Sequence, residues 1–205
     1  IYYIANSRMP TEKAHGIQLA KMCEAFVEQG VDLELVVPKR KTDAASIKDF
    51  YGLRVEIPVT RLWTLDWYGS GRIGFFLGSL SFAFGYFFYL LKKRINGEKF
   101  IIYTVDIDNT SFFLIPFVGV PYLCEMHDAK KKSVLFSYLF SRAFGIIAIN
   151  AIIKKELSEA FGIAPKKIIV HPNGIDMAMF ASQLSQGEAR TVLGLSPKKP
   201  MVVYA

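Results

Sequence analysis

Residues 1–38, IYYIANSRMPTEKAHGIQLAKMCEAFVEQGVDLELVVP, decide the fold. Ile1 to Ala5 is a short apolar run with two aromatics, ended by Asn6, and predicts a buried strand. A loop from Ser7 to His15 follows. Leu19, Met22, Cys23 and Phe26 then recur at helical spacing between Gln18, Lys21, Glu24 and Glu28, which marks an amphipathic helix stopped by Gly30. Leu33 to Val37, halted by Pro38, predicts the second strand. Strand, helix and strand in this order imply a parallel pair with a right-handed crossover.

The pattern continues outward. Phe100–Thr104, Pro121–Met126, Ile146–Ile149 and Lys167–His171 are apolar runs of strand length. Between them lie helix candidates near 108–117, 130–142 and 151–161. Continuous apolar strands alternating with helices predict a Rossmann-like, doubly wound parallel sheet in a three-layer α/β/α domain. After Asp176 the chain turns polar, with one short helix candidate carrying a capping box from Ser185 to Glu188. The expected organisation is a domain over 1–176 and an interdomain linker over 177–200. Residues 201–205 would be the first strand of a further, truncated domain.

With 52% hydrophobic and 21% charged residues, the 205-residue chain is the opposite of a disordered one. Its formal charge of +7 gathers in Lys39–Lys41, Lys92–Arg94, Lys130–Lys132, Lys166–Lys167 and Lys198–Lys199, and favours anionic partners. The basic residues are not interleaved with aromatics on one surface, so nucleic acid is not expected. Cys23 and Cys124 each sit in an apolar run, which fits buried thiols in a reducing, cytoplasmic setting. No basic region precedes an apolar stretch at the start, so no signal peptide is expected. Ile73 to Leu91 runs without a charge and is long enough, at roughly 30 Å, to cross a bilayer. Gly74, Gly78, Ser79, Ser81 and Gly85 dilute it, and sheet strands lie on both sides of it in sequence. The favoured expectation is a helix packed on the sheet with a Phe-rich face outward. Followed by Lys92-Lys93-Arg94, that face suits the anionic inner surface of a membrane.

Several motifs sit where ligands gather. Gly69-Ser70-Gly71-Arg72-Ile73-Gly74 matches G-x-G-x-x-G, yet it follows the second strand and lacks the acidic residue a dinucleotide site needs, which marks a chance match. No Walker A, H-E-x-x-H or G-x-S-x-G motif is present, and the three histidines have no metal-ligand spacing. Gly16, in Lys13-Ala14-His15-Gly16, stands at the start of the first helix, where bare amides hold phosphates. Glu125, His127 and Asp128 follow a buried strand, with Asp128 expected to cap the next helix. Asp106, in Tyr103–Thr110, ends another strand and is the candidate for a ligand hydroxyl, while Asp108 or Asn109 serves as a cap. Asn173-Gly174 forms a tight turn after the last strand.

In order and at these separations, the glycine loop ending at Gly16, the Glu125-Met126-His127-Asp128 segment and the Pro172-Asn173-Gly174-Ile175-Asp176 turn followed by Phe180 resemble the retaining family-4 glycosyltransferases of GT-B type. The resemblance covers the whole chain and implies the acceptor-side N-terminal half of such an enzyme. It implies a UDP-, GDP- or ADP-sugar donor, a glycan or lipid-linked acceptor, and no cofactor or metal. By the same resemblance Gly16 meets the donor diphosphate and His127 is the catalytic residue. His15, Asp106 and Glu125 face the acceptor, and Asn173, Gly174 and Asp176 form the interdomain loop. The donor-binding half would lie beyond Ala205, so the fragment alone is expected to be inactive. The rival expectations are an NAD(P)-type dinucleotide module built on Gly69–Gly74 and a membrane-associated scaffold without chemistry.

Overall fold

A computed structural model describes residues 1–41, 46–67, 69–177, 181, 184–196 and 199–202. In chain order the elements are β1 (Tyr2–Ile4), α1 (Ala14–Glu28), β2 (Glu34–Lys39), α2 (Ile47–Tyr51), β3 (Val59–Trp63), α3 (Gly71–Ile95), β4 (Ile102–Val105) and α4 (Ile115–Val118). They continue with β5 (Tyr122–Met126), α5 (Val134–Arg142), β6 (Gly145–Ala148), α6 (Ala151–Phe161), a 3-10 turn (Pro165–Lys167), β7 (Ile168–Val170) and α7 (Gln186–Val192). The chain divides into two compact units, Ile1–Asn173 and Gly174–Ala205. The second contains α7, whose Ser185 and Glu188 make the capping box that their spacing predicts. Phe180 and residues 203–205, the greater part of the expected strand, lie outside the described residues, and Met201 and Val202 carry no strand assignment.

The first unit is the predicted doubly wound sheet. All strand pairs are parallel, in the order β3-β2-β1-β4-β5-β6-β7. Side-chain alternation splits the core between the two faces. Tyr2, Ile4, Ile102 and Cys124 pack with Phe82 and Tyr86 of α3, Leu139 of α5 and Leu157 of α6. Tyr3, Ala5, Leu35 and Tyr103 pack with Leu19 and Cys23 of α1 and Ile47 of α2. The strand order reverses between β2-β1 and β4, so the crevice beyond β1 and β4 is the place where such a sheet binds ligands.

Some boundaries depart from expectation for physical reasons. β2 runs through Pro38 to Lys39. Val36 uses its carbonyl toward β1, on Ala5 N, so Pro38, two residues on, faces the same side, where β1 has already ended. Its missing N–H therefore costs no ladder bond. β3 and α2 were not expected. β3 is an edge strand with no fully buried residue, and α2 is a single stretch capped by Ser46 and by Gly52 at φ 61°. Residues 109–114 form turns, and only Ile115–Val118 is helical. Asp128 does not cap α5. That helix starts at Val134, and Ser133 Oγ accepts from Phe136 N at 3.1 Å.

α3 lies on the sheet. Gly74, Gly78, Ser79, Phe82, Ala83, Tyr86 and Leu90 form its buried stripe. A Cβ at Gly74 would overlap the Trp67 carbonyl oxygen, so this glycine is set by close packing. By length and apolarity α3 could cross a membrane, but its buried stripe is spent on the core. Ile73, Phe76, Phe84, Phe88 and Ile95 stay exposed. In the basic triplet at its end, Lys92 is exposed, whereas Lys93 and Arg94 reach protein partners. Arg94 Nη1 donates to Val118 O at 2.6 Å, and Lys93 pairs with Glu98 at 3.3 Å over the Tyr2 and Tyr89 rings.

Candidate functional site

A cleft of about 260 Å³ opens beyond the carboxyl ends of β1, β4 and β5. Its walls bring together Asn6 and Ser7 from the loop after β1, His15 and Gln18 from α1, Asp106 and Asp108 after β4, Glu125 from β5 and His127 just after it. Three candidate residues, Asp106, Glu125 and His127, form one hydrogen-bonded cluster.

Glu125 is buried near the end of β5, where the strand pairing sets it opposite Val105 of β4. Its Oε1 lies 2.6 Å from His127 Nε2, and its Oε2 accepts from the Tyr103 hydroxyl. Burial opposes its charge, but these two hydrogen bonds outweigh burial and hold the carboxyl below its ordinary value. A carboxylate that already accepts a Tyr103 proton at one oxygen needs a proton from its other partner, so His127 Nε2 carries hydrogen. Gln18 Nε2 lies 3.1 Å from the same nitrogen.

His127 Nδ1 is the atom left to titrate, and it faces Asp106 Oδ2 at 3.9 Å. The Glu125 hydrogen bond raises the imidazole above its ordinary value, burial opposes this, and the Asp106 charge adds to the rise. His127 is thus biased toward the imidazolium, a hydrogen-bond donor. Asp106 has φ 45°, a left-handed backbone that a non-glycine residue adopts only when its surroundings enforce it. Two bonds do so: Asp106 N donates to Glu125 O at 2.9 Å, and Asp106 Oδ1 accepts from His127 N at 2.9 Å. The twist leaves the Asp106 carboxylate exposed at the cleft. Asp108 Oδ1 accepts from Thr110 N and Ser111 N and so caps the turn after β4.

The remaining candidates sit nearby with different duties. His15 Nε2 lies 2.9 Å from Ser7 Oγ, and burial, with the charge of Lys13, keeps its ring below its ordinary value. Gly16 is buried within the first turn of α1. A Cβ there would overlap the Tyr51 hydroxyl and Thr11 Cγ2, and its amide already donates to Lys13 O at 2.8 Å. Asn173 Oδ1 accepts from Gln18 Nε2 at 3.1 Å and so meets the cluster, whereas Gly174 and Asp176 belong to the second unit. Sequence reasoning missed Gln18, Tyr103, Asn6 and Arg40. Asn6, the residue that ends β1, was the available signal. Both thiols, Cys23 and Cys124, are fully buried and pushed up by burial, which removes them as nucleophiles. Among the described residues no group of three or more His, Cys, Asp or Glu side chains is arranged to hold a metal ion. Gly69–Gly74 opens α3 from the edge strand β3, away from the crevice beyond β1 and β4.

No protein-family profile and no curated protein sequence matches this chain. Solved structures do. A glycosyltransferase from Rickettsia africae superposes with a TM-score of 0.62 at 12% identity, over 97% of this chain and 50% of the other. The lipopolysaccharide outer core galactosyltransferase WaaB gives 0.57 at 15% identity, over 85% and 46%. Anabaena HepE in complex with UDP gives 0.56 at 14% identity, over 94% and 49%. The chain spans about half the length of each of these structures, and it has the fold of a Rossmann-like α/β half of a GT-B glycosyltransferase.

Proposed function

We propose that this chain is the acceptor-side half of a nucleotide-sugar-dependent glycosyltransferase that moves a sugar, with retention, from a UDP-, GDP- or ADP-sugar to a glycan or lipid-linked acceptor. The observation that carries this reading is the Asp106–Glu125–His127 cluster at the reversal of strand order, in a fold shared with glycosyltransferases. A UDP complex of one such structure supports the donor class. In this scheme Glu125 holds His127 from below, and the imidazolium donates to a hydroxyl or to developing negative charge at the reacting sugar. Asp106, exposed and pre-twisted, accepts from an acceptor hydroxyl, and His15 offers a second, uncharged contact. The donor diphosphate comes to the N-terminus of α1. Since the Gly16 amide is already bonded, the amides of Ala14 and His15, the first in the helix, are the ones that meet it.

By the same reading Asn173, Gly174 and Asp176 form the interdomain loop, and residues 177–200 lead to a donor-binding domain beginning at Met201. The protein works in the cytoplasm, with the exposed Ile and Phe face of α3 against the inner membrane surface.

The test uses the full-length protein. UDP-, GDP- and ADP-sugars are screened by thermal shift, the hits are tested for turnover, and the anomeric configuration of the product is read by NMR. Stabilisation by one sugar nucleotide and a product that keeps the donor configuration are expected. A shift with NAD and none with any sugar nucleotide would overturn the proposal.

A further inference from the structure

Gln18 stands one turn into α1 and is half-buried. Its amide nitrogen meets two residues from distant parts of the chain. It lies 3.1 Å from His127 Nε2, just after β5, and it donates to Asn173 Oδ1 at 3.1 Å, just after β7. Asn173 is exposed and is the last residue of the first unit. His171 N donates to Ala148 O at 2.9 Å, which ties the backbone before Asn173 to β6.

His127 Nε2 therefore has two neighbours of opposite demand. Glu125 Oε1, at 2.6 Å, is an acceptor and draws a hydrogen onto this nitrogen. The Gln18 amide nitrogen carries only donors, so its positive end opposes both that hydrogen and the second proton of an imidazolium. The same amide has an oxygen at its other corner, and a half turn of the group would present that oxygen to the ring instead. Asn173 Oδ1 works against the half turn, because it accepts from the nitrogen that faces His127.

We propose that Gln18 is a positioning residue that couples His127 to Asn173: held by Asn173, its amide opposes a proton on the ring, and released from Asn173 it turns its oxygen to the ring and favours that proton. The seat of the residue at which the chain leaves the first unit then sets how readily His127 serves as a hydrogen-bond donor. The charged groups that face the ring are Glu125 on β5, Asp106 after β4 and Lys130 in the loop before α5. His15 on α1 is coupled to Asp106, and His171 after β7 to Glu125. All five stay in place when Asn173 loses its side chain, so a change at His127 has to pass through Gln18. The coupling rests on the geometry of the cluster and does not need the transferase reading.

NMR titration of the His127 ring in the full-length protein tests it, with wild type, Asn173→Ala, Gln18→Ala and the double variant compared. The midpoint is expected to rise by about 0.5 pH unit in Asn173→Ala and to rise in Gln18→Ala. Adding Asn173→Ala to Gln18→Ala should move it no further, since the link is already gone. Gln18→Glu keeps the shape of the side chain but offers oxygens only, and should raise the midpoint more than either alanine. An unmoved midpoint in Asn173→Ala, the same rise from Asn173→Ala with and without Gln18, or no rise in Gln18→Glu would overturn the coupling. Failure of the transferase reading looks different: the wild-type protein would turn over no nucleotide sugar, whatever the titrations showed.

Discussion

Replacing Gly16 with alanine places a methyl group where there is no room. The new Cβ would overlap the Tyr51 hydroxyl and Thr11 Cγ2 and would stand 3.0 Å from the Thr11 carbonyl oxygen. Tyr51 cannot simply swing away, because its hydroxyl donates to Thr11 O and accepts from Thr11 N, both at 2.7 Å. Overpacking costs about 1 to 3 kcal/mol. Each Tyr51 hydrogen bond given up adds about 1 kcal/mol. Alanine returns at most about 1 kcal/mol through helix propensity. The net loss is about 2 to 3 kcal/mol, a fall in Tm of about 5 to 10 °C for a unit of this size. Circular dichroism melting measures it directly. In a Tyr51→Phe background the same substitution should cost at least about 1 kcal/mol less, because the obstructing oxygen is gone. A Gly16→Ala protein that melts within about 2 °C of wild type would refute the packing account. The glycine would then be kept for the approach of a ligand alone.

Three further outcomes follow from the geometry. The His127–Glu125 pair makes stability depend on pH in two directions. His127 is raised, so its contribution is full below the ordinary 6.5 and is lost as pH rises through the folded value. Glu125 is lowered, so its contribution is present above the ordinary 4.5 and is lost as pH falls through the folded value. Chemical denaturation across pH should therefore show the pair strongest between 4.5 and 6.5, and Glu125→Gln should flatten that profile and lower the His127 titration seen by NMR. Tyr103→Phe removes a buried donor from Glu125 Oε2; it should cost about 1 to 2 kcal/mol in urea titration and raise the Glu125 carboxyl. Asn150→Ala removes the cap that accepts from Ile153 N at 2.9 Å and should cost about 1 kcal/mol by thermal melting, with no change in the titration of His127.

Strands buried on both faces announce themselves. Val36 and Val37, Ile102–Thr104 and Cys124–Met126 are apolar or tightly packed without interruption, and their runs were legible. Val59–Trp63 was not, because an edge strand pairs on one side only and keeps Arg61 and Trp63 in solvent. The turn from 109 to 114 hid for the opposite reason: its Phe112 and Ser111 are buried like helix residues but serve a loop capped by Asp108. At the site, position at a strand end was enough to mark Asp106, Glu125 and His127. The partners that give them their properties were beyond reach. Gln18 lies 109 residues from His127 in the chain, Arg40 lies 34 from Asn6, and Tyr103 presented only as a strand aromatic. Gly16 was marked, but its packing against Tyr51 depends on a helix that periodicity could not reveal.

The strand order also has a consequence for assembly. Among the described strands, neighbours in the sheet are consecutive in sequence except at one place, where Tyr2 meets Ile102. Closing a connection of a hundred residues instead of about twenty-five costs roughly 1.2 kcal/mol more chain entropy, two doublings of length. The two locally wired halves, β1 to β3 and β4 to β7, can therefore form before their seam is zipped. The cleft straddles that seam, with Ser7, His15 and Gln18 from one half and Asp106, Glu125 and His127 from the other. Neither half alone holds the full set of groups, so the candidate site is complete only when the pairing of β1 with β4 has closed.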